Sequence, residues 1–382
     1  MSVSDALHLI DTDVVIVGGG VAGLATAIRC HALGLAVAVV DAPARHRPLL
    51  GETLPPETRS VFSELGFWEL FETHFQSLPG RVAVWGHHQP TFTDHAFNAF
   101  GPAWLAEPEK LRPMMAGVAE DLGVRIFSRA AIKQSEPRFE GQRRLTIATE
   151  KKVISLTATF TVGATGRRWS ALKTGTDRHL AEDAMIGLVS TIGAPNDSHY
   201  GLPLVEASEH GWWYSVKLRD GRYVVAYLTD TDLAKEGVTH AGSRRAFLNG
   251  RLAAAPQTAA RTGGMISGEP TVVAASTYWS TAIAGDHSLS VGDAAWTVDP
   301  LSGLGLYSGC RAALGAAGAI YDHIAGKKPA IQEYALAQRR EYDAMLTDRA
   351  AFYGLERRWP HSPFWHRRHR GHSQPIAAGS SA

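Results

Sequence analysis

The chain has 382 residues, 45% of them hydrophobic and 20% charged, which excludes disorder as the main state and allows one or two packed domains. Lys plus Arg number 38 against 37 Asp plus Glu, so the formal charge is +1 and no broad positive field draws nucleic acid or anionic lipid. Two cysteines, Cys30 and Cys310, build no disulfide framework, and without a CxxC pair no zinc, iron–sulfur or other metal site is expected; both read as small buried apolar residues in a reducing compartment.

The opening stretch MSVSDALHLIDTD has no basic segment ahead of an apolar run, so no export signal and a cytoplasmic location are expected. The longest apolar stretches, around 34–40 and 312–320, fall short of the roughly 20 residues a bilayer span needs, so no membrane span is expected. Asp13 to Val17 is a β-branched run leading into Gly18, Gly19 and Gly20, and helical spacing follows from Ala22 to Ala32. Leu35 to Val40 ends at Asp41, completing a βαβ unit and implying a right-handed crossover in a parallel sheet.

Gly18, Gly20 and Gly23 fit GxGxxG at this strand-to-helix junction, with Val21 and Ala22 at the helix start. The first glycine permits the tight turn, the second lets a pyrophosphate approach the backbone, and the third packs helix on strand. The helix N-terminus faces the phosphates. Asp41 stands 18 residues past Gly23, at a strand end where a carboxylate accepts ribose hydroxyls. This unit predicts an adenine dinucleotide and leaves open whether it is FAD or NAD.

A helical pattern over 111–122 precedes a strand at 124–127 and strand-like runs at 145–148, 153–157 and 158–162, the last closing at Gly163, Ala164, Thr165 and Gly166. From about Ile186 to Val273 the pattern alternates, with strands Gly211 to Leu218 and Arg222 to Leu228 about the turn Asp220-Gly221, predicting an inserted antiparallel sheet. Alternation puts Trp212 and Tyr214 on one face and Trp213 on the other, each read as core before site. The strand His287 to Gly292 restores the first pattern and feeds Asp293, a loop and an Ala-rich helix from about Gly305.

The expected fold class is α/β: a Rossmann-like FAD-binding domain with a three-layer parallel sheet, plus an inserted antiparallel-sheet substrate domain. The nucleotide domain takes residues 10–88, 108–168 and 275–330, the substrate domain 89–107 and 169–274, and a C-terminal helical segment 331–365. The tail 366–382 is expected to be mobile, with 359–372 a helix end and solvated tail rather than a docking patch. With a single GxGxxG, a stable two-dinucleotide reductase is not expected; electrons come from transient NAD(P)H or from a separate flavin reductase.

Gly292 and Asp293, followed by Asp299, Pro300, Leu301, Ser302, Gly303, Leu304 and Gly305, resemble the FAD monooxygenases of the para-hydroxybenzoate hydroxylase type. There a GD pair holds the ribityl chain and the Pro-Gly loop lines the isoalloxazine. The resemblance implies FAD, a ribityl contact from Asp293, cofactor contacts from Leu304 and Gly305, and a reaction centre at Pro300, Leu301, Ser302 and Gly303 acting through backbone amides. The helix from Gly305 points its positive end at a ring that becomes anionic when reduced. Gly163 to Gly166 resembles the turn closing the nucleotide domain, which implies a cofactor contact from Gly166; Arg167 and Arg168 receive no role.

Gly51, Glu52, Thr53, Leu54, Pro55 and Pro56 resemble the GE(A/S/T)xxP segment of flavin-dependent tryptophan halogenases and related hydroxylases, which implies cofactor contacts from Glu52 and Thr53. With Trp85-Gly86, Phe97 to Trp104, Gly211 to Ser215 and Glu356 to Trp365, the chain is similar over nearly its whole length to the flavoproteins that mature tryptophylquinone enzymes. Those relatives hydroxylate a tryptophan inside a partner protein, as in the lysine ε-oxidase, glycine oxidase and quinohemoprotein amine dehydrogenase systems. The resemblance implies dioxygen as co-substrate and hydroxylation of an electron-rich aromatic ring, a partner tryptophan among the candidates, through a flavin C4a-hydroperoxide.

Halogenases use a lysine after GE(A/S/T)xxP, whereas 55–88 contains none. Their halide loop FxxPxxSxG is matched only by Thr297, Pro300, Gly303 and Gly305, and WxWxIP only by Trp212, Trp213, Tyr214 and Ser215. The family's Asp-Arg pair ahead of the long helix reads Glu107-Pro108. Hydroxylation therefore leads; the alternatives are an aromatic halogenase, a flavin oxidase or dehydrogenase of a small natural-product intermediate, and a non-catalytic flavin-binding scaffold. Spacing selects no general base among His74, His87, His88, His95, His179 and His210.

Overall fold

The computed structural model describes residues 8–43, 50–95, 98–168, 177–193 and 201–370. Strand β1 (His8–Val17) begins five residues ahead of its β-branched run. Helix α1 (Val21–Ala32) and strand β2 (Val37–Val40) complete the βαβ unit, with β1 and β2 parallel. Val14 to Val17 are buried in two different clusters, Val14 and Ile16 on the α1 face and Val15 and Val17 on the other, as a strand covered on both sides requires. Helix α2 (Pro108–Asp121) carries Leu111, Met115 and Ala119 into the α1 cluster at helical spacing.

One boundary differs from the sequence expectation. The runs at 153–157 and 158–162 form a single strand, β3 (Val153–Gly163). Nothing in Thr157-Ala158 breaks a strand, and the length serves two partners. Residues 153–158 pair antiparallel with Arg143–Ala148, whereas 161–163 pair parallel with Ser288–Ser290; along its other edge β3 pairs parallel with β1. The described eight-stranded sheet is thus parallel at its centre, with α1 on one face and the hairpin strands over the other.

A seven-stranded sheet follows the order 271–274, β4 (Met185–Ile192), β6 (Tyr223–Asp230), β5 (Gly211–Lys217), 204–208, 80–84 and 91–94. All its pairs are antiparallel except 204–206 with 82–84. The alternation of β5 is as expected from its sequence. Trp212 packs with Leu105, Tyr353 and Trp365, whereas Trp213 packs on the opposite face with Tyr227, Phe247 and Leu248, under the helices of 231–262.

Helix α3 (Gly305–Ile324) packs on α1, and the 26-residue α4 (Ala330–Leu355) packs on α3 through a stripe including Ile331, Tyr334, Tyr342 and Leu346. The expectation of a solvated basic end is overturned for Phe364, Trp365 and Arg368, whereas His366, Arg367, His369 and Arg370 stay exposed. Residues 363–369 form helix α5, with Phe364 and Trp365 fully buried. Arg368 gives two hydrogen bonds to the buried Asp230, and Arg367 bridges Asp230 and Asp232. The segment is basic because it neutralises carboxylates at the end of β6 and the start of the next helix, a partner that local composition does not reveal. Residues 371–382 of the expected mobile tail, like Phe97 of the aromatic stretch, lie outside the described residues.

Candidate functional site

Gly18 leaves β1 with φ +114°, and a Cβ there would sit 2.2 Å from the Ala164 carbonyl oxygen. A Cβ on Gly23 would sit 2.1 Å from the Gly18 oxygen. Both positions need glycine for close backbone approach, so the first turn of α1 is pressed against β1 and the 163–166 turn. Gly20 differs. A Cβ there meets nothing within 4 Å, which leaves an open face at the α1 N-terminus. No side chain caps that end, and its first-turn N–H groups point into the same space as Val21 and Ala22 begin the helix.

Asp41, at the end of β2, accepts the Gly19 N–H at 2.8 Å and pairs with Arg112. Arg112 also donates from Nε to the Gly19 carbonyl at 2.6 Å. No motif marks Arg112 in the sequence, where the arginine position of the resembled family reads Pro108. Arg112 stands one helical turn later on α2 and still reaches the glycine loop.

The second half of the site comes from the other end of the chain. Gly292, at φ +57°, opens a tight 3-10 turn, and a Cβ on it would stand 2.8 Å from that of Ala22. Ala22 and Gly292 therefore bring the GxGxxG loop and the GD pair into contact. The Asp293 carboxylate stays 44% exposed, with Arg167 Nε 3.6 Å away. Arg167 donates to the Ser276 carbonyl at 2.7 Å and lies over the Tyr278 ring, while the Tyr278 hydroxyl donates to the Asp293 carbonyl oxygen at 2.6 Å. Burial first, then the nearby Asp293 charge, raises the Tyr278 phenol well above its ordinary range, so it remains a donor. His179 stacks on the Tyr278 ring at 4.0 Å. Gly166, at φ +65°, closes the turn carrying Arg167.

A small crevice runs from Gly292 and Asp293 to Thr297, Gly305, Ser308 and Gly309, at the N-terminus of α3. Leu304 caps this 20-residue helix without a side-chain bond, so a second set of helix-start N–H groups faces the site. Ahead of it, Pro300–Ser302 makes a tight turn and Gly303 closes it at φ +63°. A Cβ on Gly303 would lie 2.7 Å from Thr53 Oγ1, so the GET segment and the Pro-Gly loop meet. Glu52 is half-buried beside Tyr214, whose hydroxyl donates to the Gly51 carbonyl at 2.6 Å.

The two open helix starts, the uncovered Gly20 face and the exposed Asp293 carboxylate fit a dinucleotide joining phosphates to a hydroxyl-bearing chain and a flat ring. Residues 11–349 match the family described as the FAD binding domain.

The chain belongs to the FAD binding domain family.

LodB of Marinomonas mediterranea, whose name describes an FAD-dependent oxidoreductase, is 24% identical over 370 residues, 94% of this chain and 96% of LodB. The myxobacterial chondrochloren halogenase CndH superposes with a TM-score of 0.84 at 22% identity, covering 94% of this chain and 86% of CndH. The peptidyl tryptophan dihydroxylase QhpG, essential for tryptophylquinone cofactor biogenesis, gives 0.76 at 22% identity, over 97% of this chain and 81% of QhpG. At these identities the solved structures show the fold alone, that of the para-hydroxybenzoate hydroxylase-like flavoproteins and halogenases. This member of the FAD binding domain family is an FAD-dependent oxidoreductase. Among its described residues no helix is long and apolar enough to cross a membrane.

Cys30 and Cys310 lie in the core between α1 and α3, and burial pushes both thiols up to about 12, so neither is a nucleophile.

Proposed function

We propose that the chain is an FAD-dependent monooxygenase that hydroxylates an electron-rich aromatic ring, with a tryptophan of a partner protein or peptide as the substrate class. When bound and reduced, FAD supplies the activation of dioxygen. The chain's own residues bind, orient and exclude water. Gly20 and the α1 N-terminus take the pyrophosphate, Asp41 the ribose, Asp293 the ribityl hydroxyls, and the α3 N-terminus the ring edge that gains charge on reduction. The Pro300–Gly303 turn offers backbone N–H groups beside the reacting atoms, and apolar packing around Leu301 keeps water out.

The observation that carries hydroxylation over halogenation is the absence of lysine from 55–88, the stretch following the GET segment that meets Gly303. A halogenase of this fold needs an amine there to carry the oxidised halide. The near full-length match to LodB in both directions supports an FAD-dependent oxidoreductase, and the likeness to QhpG, a peptidyl tryptophan dihydroxylase, supports a peptide-borne tryptophan as substrate class. Electrons come from NAD(P)H binding transiently or from reduced flavin made by a separate reductase.

The test incubates the FAD-loaded chain, an electron source and bromide with tryptophan-bearing peptides and free aromatics, and reads product masses. A gain of one or two oxygens on the aromatic ring supports the proposal. A bromine isotope pattern assigns a halogenase, and loss of two hydrogens without oxygen assigns an oxidase.

A further inference from the structure

Behind the Pro300–Ser302 turn lies a buried polar chain that the cofactor site does not use. Asp299 is 2% exposed and caps the turn, its Oδ1 accepting the Leu301 N–H at 3.0 Å. Its Oδ2 accepts Arg349 Nε at 3.1 Å and the Tyr353 hydroxyl at 2.8 Å. Arg349 continues to Asp183 Oδ2 at 2.6 Å, and Asp183 Oδ1 accepts the N–H of Met185 at the start of β4. The Tyr353 hydroxyl in turn accepts the Trp212 indole N–H at 3.0 Å, from β5. One connected path thus runs from the seven-stranded sheet, through two residues of α4, to the residue that caps the turn.

Burying two carboxylates with one guanidinium is a costly way to hold a helix against a sheet, and apolar side chains of similar volume do that better. What the guanidinium adds is direction. Its planar fork fixes two carboxylates at set angles, and through Asp299 Oδ1 that direction passes to the Leu301 N–H. The Tyr353 ring lies between Arg349 and Arg368, at 5.6 and 5.2 Å, which restricts the phenol to the orientation joining Trp212 and Asp299.

We propose that Arg349 is a positioning residue: through Asp299 it sets the orientation of the Pro300–Gly303 turn and, with Tyr353 and Trp212, ties that turn to the sheet on the substrate side. The proposal rests on the reading that this turn faces the flavin ring.

The experiment uses the full chain loaded with FAD. Arg349→Met combined with Asp183→Asn removes one positive and one negative buried charge together, leaving Asp299 held by Tyr353. Arg349→Lys keeps the charge and loses the fork. Leu346→Ala, one turn earlier on α4 and buried in the core, controls for simple loss of packing. The double variant is expected to raise the FAD dissociation constant at least fivefold and to shift the visible absorption of bound FAD. The lysine variant falls between, and Leu346→Ala lowers the melting temperature without a spectral shift. A folded double variant with native affinity and spectrum overturns the proposal, as does a Leu346→Ala shift of equal size. Should the double variant fail to fold, Arg349→Lys, which keeps every buried charge and loses only the fork, decides by the same spectrum: a shift supports the proposal and a native spectrum overturns it. A native chain that takes up no FAD overturns the functional reading as well; a native chain that binds FAD beside unaffected variants overturns this proposal alone.

Discussion

A Cβ placed on Gly292 would stand 2.8 Å from the Cβ of Ala22, a residue 270 positions earlier in the chain. That close approach joins the phosphate loop to the GD turn, so both halves of the cofactor site depend on one pair of small residues. Gly292→Ala, with φ +57° and this contact, is expected to destabilise the protein by roughly 1–3 kcal/mol and to weaken FAD binding. Denaturant unfolding with and without FAD measures both effects. An unchanged midpoint in both would show that the two halves are not joined here.

Gly18 and Gly20 are expected to respond in opposite ways. Gly18→Ala forces a Cβ into the Ala164 carbonyl and loses the fold before any question of ligand arises. Gly20→Val places its Cβ in open space, so the unfolding free energy of the FAD-free chain is expected to change by no more than about 1 kcal/mol while FAD binding falls beyond detection. Melting curves and a fluorescence titration separate the two. If Gly20→Val bound FAD normally, the phosphates would lie elsewhere.

Arg112 is 40% exposed in its side chain, and its main partners are Gly19 and Asp41 of the dinucleotide loop. Arg112→Ala removes a partly exposed ion pair, so the melting temperature of the FAD-free chain is expected to stay nearly unchanged, while FAD binding weakens about tenfold because Gly19 and Asp41 are no longer held in place. A titration of the folded variant with native affinity would remove Arg112 from the site.

These residues also mark how far the sequence was legible. Gly18, Gly20 and Gly23 announce themselves because their demands are local: a turn, an open face and a helix–strand contact fall within six residues of sequence. Gly292 and Asp293 were legible as a motif, although their contact with Ala22 was not. Arg112, Arg349 and Tyr353 carry no such signal, because each acts on a partner across the fold; Arg112 and Gly19 are 93 residues apart, and Tyr353 and Asp299 are 54. The basic end of the chain failed for the same reason. Arg367 and Arg368 look solvated until β6 brings Asp230 to them. Strand β3 was divided in sequence because an apolar run reveals neither where one partner strand ends nor where the next begins.

The C-terminal helix α5 is expected to be structural. Trp365 is fully buried, and its indole N–H donates to the Ser208 carbonyl at 2.9 Å. Trp365→Ala is expected to cost about 3–5 kcal/mol in denaturant unfolding. A loss below about 1 kcal/mol would return the segment to the solvated tail expected from composition.

Glu356 gives the pH dependence a sign. It is fully buried; burial raises its carboxyl, but the Arg358 guanidinium and the Arg358 and Gly86 N–H groups more than offset this and hold it below the usual carboxylate range. Its folded-state pKa is therefore depressed, and the stability it supplies is present above the unfolded value, about 4.3, and lost as pH falls through the folded one. Glu356→Gln is expected to be less stable at pH 7 by about 1–3 kcal/mol and to approach the native protein as pH falls below 4. Unfolding midpoints across pH 3–7 test this, and a constant difference over that range would contradict it.

The most direct test of the proposed activity follows the oxygen atom. The FAD-loaded chain, reduced and mixed with a tryptophan-bearing partner under 18O2 in ordinary water, is predicted to place 18O on the aromatic ring. Product carrying oxygen only from water, or a halogen in its place, would contradict the account.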